Sequence, residues 1–231
     1  MSNERHAVVT GSSSGIGKAI TQALLADTWR VTGLDVAPPS IVQQEFSPVS
    51  VDLCDGAAAE AAAVRVGHVD ALIHAAGVLR VGSLGKLRRA DGELMWRLHL
   101  ESILCIANVL VPAMATAGKG RVVLIGSRIA QGKAARSQYA ATKAALVALA
   151  RSWAAEVVAH GVTVNVVSPA ATDTAMLSDP SRKCETPIVP PLGRLIQPAE
   201  IASLVVFLVS PAAAAITGQD IQICGGASLP R

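Results

Sequence analysis

His6-Ala7-Val8-Val9-Thr10-Gly11-Ser12-Ser13-Ser14-Gly15-Ile16-Gly17 is the stretch on which the fold turns. Its first five residues read as a short buried strand. A helical pattern then runs from about Ile16 to Asp27, and three glycines stand at the change. Gly11 permits a tight turn, while Gly15 and Gly17 let backbone approach a pyrophosphate and let the helix pack close to a sheet. The N-terminus of that helix points at the phosphates. A glycine pattern alone is weak evidence, since glycines also mark ordinary turns. Here strand, loop and helix occur in the order that dinucleotide binding requires.

The rest of the chain repeats the alternation. Strand patterns fall near 6–10, 30–34, 48–52, 69–74, 120–126, 161–167 and 219–223. Helical patterns fall near 15–27, 55–66, 91–117, 137–160 and 198–210, with Pro112 expected to kink the third. This rhythm implies an α/β fold: one Rossmann-type domain over 1–231, a doubly wound parallel sheet flanked by helices, with ligands at the carboxyl ends of the strands. Two stretches break it. One is the loop from Val36 to Ser47; the other, Ala175 to Pro198, is rich in proline and polar residues and is expected to form a substrate lid.

A second constellation lies about 120 residues further on. Tyr139-Ala140-Ala141-Thr142-Lys143 follows the strand-like run Arg121-Val122-Val123-Leu124-Ile125 and Gly126-Ser127. A free phenol has a pKa near ~10, too high for a base at neutral pH. A cation a few ångströms away favours the phenolate. Tyr139 and Lys143 are four apart and share one face of a helix. Ser127 is placed to hydrogen-bond a substrate oxygen while Tyr139 exchanges its proton. The same spacing occurs without chemistry on solvated helices, but Tyr139 is the only tyrosine in the chain and the glycine loop accompanies it.

The second strand, Arg30-Val31-Thr32-Gly33-Leu34, ends in Asp35, 18 residues past Gly17. An acid there can accept hydrogen bonds from the adenosine ribose hydroxyls and repels a 2′-phosphate. Val36, Ala37, Pro38 and Pro39 follow, with no arginine or lysine, which favours NAD over NADP. The alternative is an aspartate that caps a turn.

These motifs together resemble the short-chain dehydrogenase/reductase family from end to end. Thr10 to Gly17 is similar to the family's TGxxxGIG loop, which implies cofactor contacts at Gly11, Ser13, Ser14, Gly15, Ile16 and Gly17. Asp52-Leu53 resembles the pair that contacts adenine, and Ala75-Ala76-Gly77 the end of the NNAG motif. Ser127, Tyr139 and Lys143 match the catalytic serine, tyrosine and lysine, the last two also lying against the cofactor. Asn165-Val166-Val167-Ser168-Pro169, with Thr172 and Thr174, resembles the nicotinamide segment, and Ile216 to Asp220 with Gly225-Gly226 the final strand and its glycines. The resemblance implies NAD(P)-dependent hydride transfer between a secondary alcohol and a ketone, and a homotetramer built on the helices near 91–117 and 137–160. Some segments look most like dehydrogenases of cyclic dihydrodiols, and they are shared with sugar-alcohol (polyol) and 3-oxoacyl thioester members. Arg80, Arg128, Arg136 and Arg182 are candidates for a substrate carboxylate, though each also reads as a solvated arginine.

Three departures stand out. His99 lies 28 positions before Ser127, where the family carries an asparagine whose backbone carbonyl holds a proton-relay water. A histidine keeps that carbonyl. Its ring is open to two readings, a packing group or a proton carrier, and the backbone role is favoured because any residue supplies a carbonyl. His74 replaces the first asparagine of NNAG and is expected to be structural. Ala170 and Cys224 replace a glycine and an aspartate without removing a catalytic group. The departure at 99 leaves open a catalytically weak, nucleotide-binding regulator as a different class of function.

Composition fits a single domain of 231 residues, with 51% hydrophobic residues and a net charge of only +3. No basic stripe suggests nucleic acid. No apolar run of about 18 residues is evident, so no membrane span is expected, and the polar Met1-Ser2-Asn3-Glu4-Arg5 does not read as a signal peptide. Cys54, Cys105, Cys184 and Cys224 show no paired spacing and read as reduced packing cysteines of a cytoplasmic protein. The five histidines form no metal pattern.

Overall fold

The computed structural model describes residues 5–178 and 188–230. Seven strands, β1 (His6–Thr10), β2 (Arg30–Asp35), β3 (Phe46–Ser50), β4 (Ala71–His74), β5 (Gly120–Ile125), β6 (Val162–Pro169) and β7 (Asp220–Ile223), form one sheet. The order is β3-β2-β1-β4-β5-β6-β7 and every pairing is parallel. Thr10 is level with both Leu34 and His74, so the carboxyl ends of β1, β2 and β4 lie side by side. The strand order reverses between β1 and β4, and the crevice above that point is where such sheets bind ligands.

Among the described residues six α-helices cover both faces: α1 (Gly15–Ala26), α2 (Gly56–Val66), α3 (Arg89–Trp96), α4 (Ser102–Thr116), α5 (Ser137–Val157) and α6 (Pro198–Val209). Consecutive strand residues point to opposite sides, and both sides are buried, which is why the strands read as unbroken apolar runs. Val8, Leu72, Val122 and Val164 join Ile103, Ile106 and Leu146 in the core under α2, α4 and α5. Val9, Ile73, Val123 and Val167 join Ile20, Leu24 and Val205 in the core under α1 and α6. Each such fully buried Leu or Ile contributes roughly 1.5–3 kcal/mol. Ala59, Ala62 and Ala63 of α2 are buried in the first core, and their small side chains let α2 approach α4 closely. Local signals set the helix ends: the Asp55 carboxylate accepts the Ala58 N–H, and Pro198 opens α6 with Glu200 accepting the Gln197 N–H.

Strand β4 starts two residues later and β6 ends two residues later than the sequence pattern places them, and two further elements depart from expectation in an instructive way. Strand β3 begins at Phe46 rather than 48, because Phe46 is buried beneath Gly33 and pairs in register with Val31. Pro48 is tolerated since β3 is an edge strand. In the long third helix the chain stays helical through Pro112, and the departure from α geometry is a π turn at Arg97–Glu101 that joins α3 to α4. The joined helix, Arg89–Thr116, holds an apolar window of mean hydropathy 1.7 that meets the length and composition of a membrane span, contrary to the expectation of no such run. Half of that window is buried inside this domain, where Ile103, Ile106, Leu110 and Met114 belong to the core.

Candidate active site

The glycine loop follows β1 directly. Gly11 has φ +69°, and a Cβ there would lie 2.9 Å from the Ala76 backbone, so the loop and the segment after β4 touch through backbone alone. A Cβ on Gly17 would lie 2.0 Å from the Gly11 carbonyl oxygen, which shows how tightly α1 is drawn onto the loop. The first turn of α1 carries no acidic residue, and the Ser14 side chain does not cap it. Its N–H groups are therefore available for an anion such as a pyrophosphate, and this chain fits a dinucleotide there.

At the end of β2 the Asp35 carboxylate accepts the Ser13 N–H and the Ala37 N–H, each at 2.9 Å. Two amides thus orient it beside the loop. Asp52 accepts the Cys54 N–H at 2.9 Å, and Leu53 is buried next to it.

Above β5 and α5 the second constellation assembles. Ser127 ends the segment after β5 and accepts the Ile129 N–H at 3.2 Å, capping a short 3-10 turn at Arg128–Gln131. Lys143 is buried, donates to the Ile125 carbonyl at 2.7 Å and lies 5.9 Å from the centre of the Tyr139 ring. Burial pushes its pKa down to about 7 from 10.5. The β4–α3 loop is tied to the entry of α5 by the Gly82 N–H donating to the Ala135 carbonyl at 3.1 Å, which holds Arg80 near this end.

One cavity of about 850 Å³ contains both constellations. Gly11, Ser14, Gly15, Ile16, Gly17, Asp35, Asp52, Leu53, Ala75, Ala76, Gly77, Ser127, Tyr139, Lys143, Pro169, Thr172 and Thr174 all line it. Ser13 lines a small neighbouring cavity of about 120 Å³ beside Asp35. His99 stands behind the wall, with no solvent exposure, its ring edge-on to that of Tyr139 at 5.6 Å and 87°. The His99 carbonyl, to which the sequence reading gave a relay water, accepts a hydrogen bond from His74 Nε2 at 3.2 Å.

The arginine candidates separate. Arg80 and Arg128 line the cavity, Arg136 is buried outside its wall, and Arg182 lies outside the described residues. Of the expected lid, Ala175–Ser178 forms a 3-10 turn whose Met176 and Leu177 line the cavity with Ile188 and Val189; residues 179–187, with Cys184, lie outside the described set. Leu94, Leu98, Ile129 and Lys133 are lining residues that sequence reasoning missed. Leu94 and Leu98 stand four apart and share a helix face, a signal that was there to use; nothing local marks Lys133. Cys54, Cys105 and Cys224 are free thiols of intermediate exposure, and Cys105 packs against the first core.

Comparison with known proteins agrees with this geometry. A family model described as Enoyl-(Acyl carrier protein) reductase matches residues 11–228. The chain is similar to the 3-oxoacyl-[acyl-carrier-protein] reductase FabG of Vibrio cholerae, 33% identical over 95% of this chain and 96% of that protein. It is equally similar to the 2,3-dihydro-2,3-dihydroxybenzoate dehydrogenase of Escherichia coli, 33% identical over 96% of each. A solved structure of a short chain dehydrogenase/reductase family protein superimposes with TM-score 0.90 at 31% identity, covering 98% of both chains. With a glycine loop and a Ser-Tyr-Lys set facing one cavity, and relatives matched over nearly their full length, this chain belongs to the short-chain dehydrogenase/reductase family and is an NAD(P)-dependent oxidoreductase.

Proposed function

We propose that this protein interconverts a secondary alcohol and a ketone, with NAD preferred over NADP. The convergence of Ser127, Tyr139 and Lys143 on the cavity that holds the glycine loop carries the proposal. A bound nicotinamide supplies or accepts the hydride. Tyr139 gives a proton to the carbonyl oxygen in reduction and takes it back in oxidation. Lys143, four residues on, supplies the cation that favours phenolate and binds ribose. Ser127 orients the substrate oxygen. Turnover of a panel of dihydrodiols, polyols and 3-hydroxyacyl thioesters, with NAD and NADP in parallel, tests this reading. Activity with any of them that survives Tyr139→Phe unchanged would refute it, and no turnover by the wild type would favour the regulatory alternative.

The preference for NAD rests on Asp35. Its carboxylate is held by two amides at the ribose end, and among the described residues no arginine or lysine lines that end. A 2′-phosphate there meets a negative charge and no cation.

For the substrate, the charges around the far end favour an anion with an apolar body. Arg80, Arg128 and Lys133 line that end, no aspartate or glutamate does so among the described residues, and Leu94, Ile129, Met176 and Leu177 supply apolar wall. A carboxylated cyclic dihydrodiol fits this pattern. The alternative, a 3-oxoacyl thioester, draws on the likeness to 3-oxoacyl-[acyl-carrier-protein] reductases. A carboxylated diol and its methyl ester separate the two, since only the first reading expects the ester to lose affinity.

The homotetramer rests on the exposed Trp96 and Leu104 of the Arg89–Thr116 stretch and on the small residues of α5. Light scattering at micromolar concentration tests it; a monomer would count against it.

A further inference from the structure

The proposed chemistry leaves two fully buried histidines unused. His74 ends β4 and His99 lies in the π turn at 97–101; neither has any solvent exposure. Buried polar rings are costly unless each nitrogen is paired. Each ring has one partner whose role admits a single direction, and for a neutral ring that fixes the other nitrogen and hence the tautomer. The His99 carbonyl only accepts, so His74 Nε2 carries the proton and donates to it at 3.2 Å. His74 Nδ1 is then the acceptor and takes the Thr10 hydroxyl at 2.9 Å. Thr10 Oγ1 accepts in turn the Ala75 and Ala76 N–H groups, each at 3.1 Å.

On the other ring the Val78 N–H only donates, so His99 Nε2 is bare and accepts it at 3.0 Å. His99 Nδ1 therefore carries the proton and donates to Thr142 Oγ1 at 2.8 Å. Thr142 spends its own proton on the Tyr139 carbonyl at 2.9 Å. Both rings are neutral and of opposite tautomer. Burial opposes their protonation, and so does the Lys143 ammonium, the cation that faces both.

Two hydrogen-bond chains thus meet at residue 99: one runs from Thr10, at the foot of the glycine loop, through His74 to the His99 carbonyl, and the other from the Val78 N–H through the His99 ring and Thr142 to the Tyr139 carbonyl. His99 also meets the Tyr139 ring edge-on. Gly77 leaves room for this: a Cβ there would lie 3.2 Å from His99 Nε2 and 3.7 Å from Lys143 Nζ. π turns occur frequently at functional sites, and this one carries the ring into the gap between β4 and α5.

We infer that His99 is a positioning residue for Tyr139: its neutral ring joins the Val78 amide to Thr142, while His74 holds its backbone. The inference rests on Tyr139 being the acid/base and goes beyond it. An asparagine at 99 holds its amide one methylene nearer the backbone than a glutamine does, short of the place of the far imidazole nitrogen that takes the Val78 N–H. A glutamine offers one acceptor and one donor at nearly the spacing of the imidazole nitrogens.

Two measurements on the full-length protein need no substrate. Nitrogen-15 imidazole spectra, assigned with His74→Gln and His99→Gln, are expected to show His99 as the Nδ1–H form and His74 as the Nε2–H form, neither titrating between about pH 5.5 and 9. Titration of either ring in that window, or one shared tautomer, would overturn the inference. Tyr139 is the only tyrosine, so tyrosinate absorbance of the NADH complex reports it alone. His99→Leu is expected to raise its titration midpoint by about half a pH unit or more. The same variant is expected to lower kcat about tenfold or more at unchanged NADH affinity. His99→Gln is expected to recover both to near the wild-type values. If His99→Leu does not fold, Thr142→Val removes the same link from the other side and is expected to shift the tyrosine midpoint likewise. A tyrosine midpoint and a kcat that ignore all of these variants would refute the positioning role. If the wild type turns over no alcohol or ketone at all, the proposed function fails, and the two spectroscopic measurements still decide the inference.

Discussion

At the adenosine end of the cavity Asp35 is gripped by the amides of Ser13 and Ala37, Asp52 by that of Cys54, and the walls are the ends of β1 and β2. At the other end Arg80 and Lys133 stand on loops, Arg128 opens a 3-10 turn, and Tyr139 and Lys143 lie on the first turns of α5. The first end is acidic and made by backbone; the second is basic and made by side chains. Backbone geometry that depends on the glycines can be occupied by one kind of ligand only, whereas loop side chains change without disturbing the sheet. Under the proposed function the first end grips the adenosine half of the cofactor, and the second carries the chemistry and the substrate choice.

If that division holds, Tyr139→Phe removes chemistry and spares binding. Turnover is expected to fall by about 10³-fold, within the range for a general acid or base, with NADH affinity changed less than about threefold. Stopped-flow single turnover with parallel NADH titration checks it; a comparable loss of NADH affinity would break the comparison. The reverse is expected of Gly17→Val. Its branched side chain must displace the Gly11 carbonyl, 2.0 Å from the Cβ position, so α1 moves off the loop. NADH affinity should drop about a hundredfold or more, near 3 kcal/mol, with a lower Tm. Wild-type affinity in that variant would show that the loop does not set the adenosine end.

Lys143 sharpens the contrast through pH. Its pKa is about 7 in the folded protein against an ordinary 10.5. Below about pH 7 both folded and unfolded chains hold the proton. Between about 7 and 10.5 the unfolded chain binds more, so this group makes stability rise with pH through that window and gives the gain back as pH falls to 7. Urea melts of the wild type and Lys143→Met at pH 6 and 9 isolate the term. The variant is expected to be inactive, and its stability advantage at pH 6, about 2 kcal/mol after allowance for relaxation and for the orphaned Ile125 carbonyl, should shrink by pH 9. An advantage that grows with pH would contradict the buried, depressed lysine.

Smaller effects probe each end separately. Asp35→Ala is expected to narrow the NAD over NADP preference about tenfold, near 1.4 kcal/mol, by removing the charge that faces a 2′-phosphate. Fluorescence titration with both reduced cofactors measures it, and an unchanged ratio would make Asp35 a turn residue only. At the far end, Arg128→Gln is expected to raise KM about fivefold for a carboxylated alcohol and to leave its methyl ester unaffected. Equal effects on acid and ester would remove Arg128 from substrate recognition.

Much of this was legible in the chain. The strand-loop-helix order at His6 to Gly17, the alternation of apolar runs, and the four-residue spacing of Tyr139 and Lys143 are local patterns, and the helices and strands follow them closely. The apolar pattern puts the edge strand two residues late, because burial of Phe46 under Gly33, not propensity, sets its register. Counting back from Ser127 finds His99 but not the partners of its ring and carbonyl. Val78, His74 and Thr142 lie 21, 25 and 43 residues away, and no local pattern joins them.

Local steric rules act over a few residues: glycine where φ is positive, two-residue alternation on a sheet buried on both faces, four-residue spacing on a helix. They decided which segments fold how, and so decided that a dinucleotide loop and a Tyr-Lys pair exist. What the loop and the pair can do depends on distance through space. The pKa of Lys143 near 7, the opposite tautomers of His74 and His99, and the basic mouth formed by Arg80, Arg128 and Lys133 arise only once the β4 and β5 ends and α5 close around one cavity. Burial strips water from those groups, and without water each must find its partner in another part of the chain.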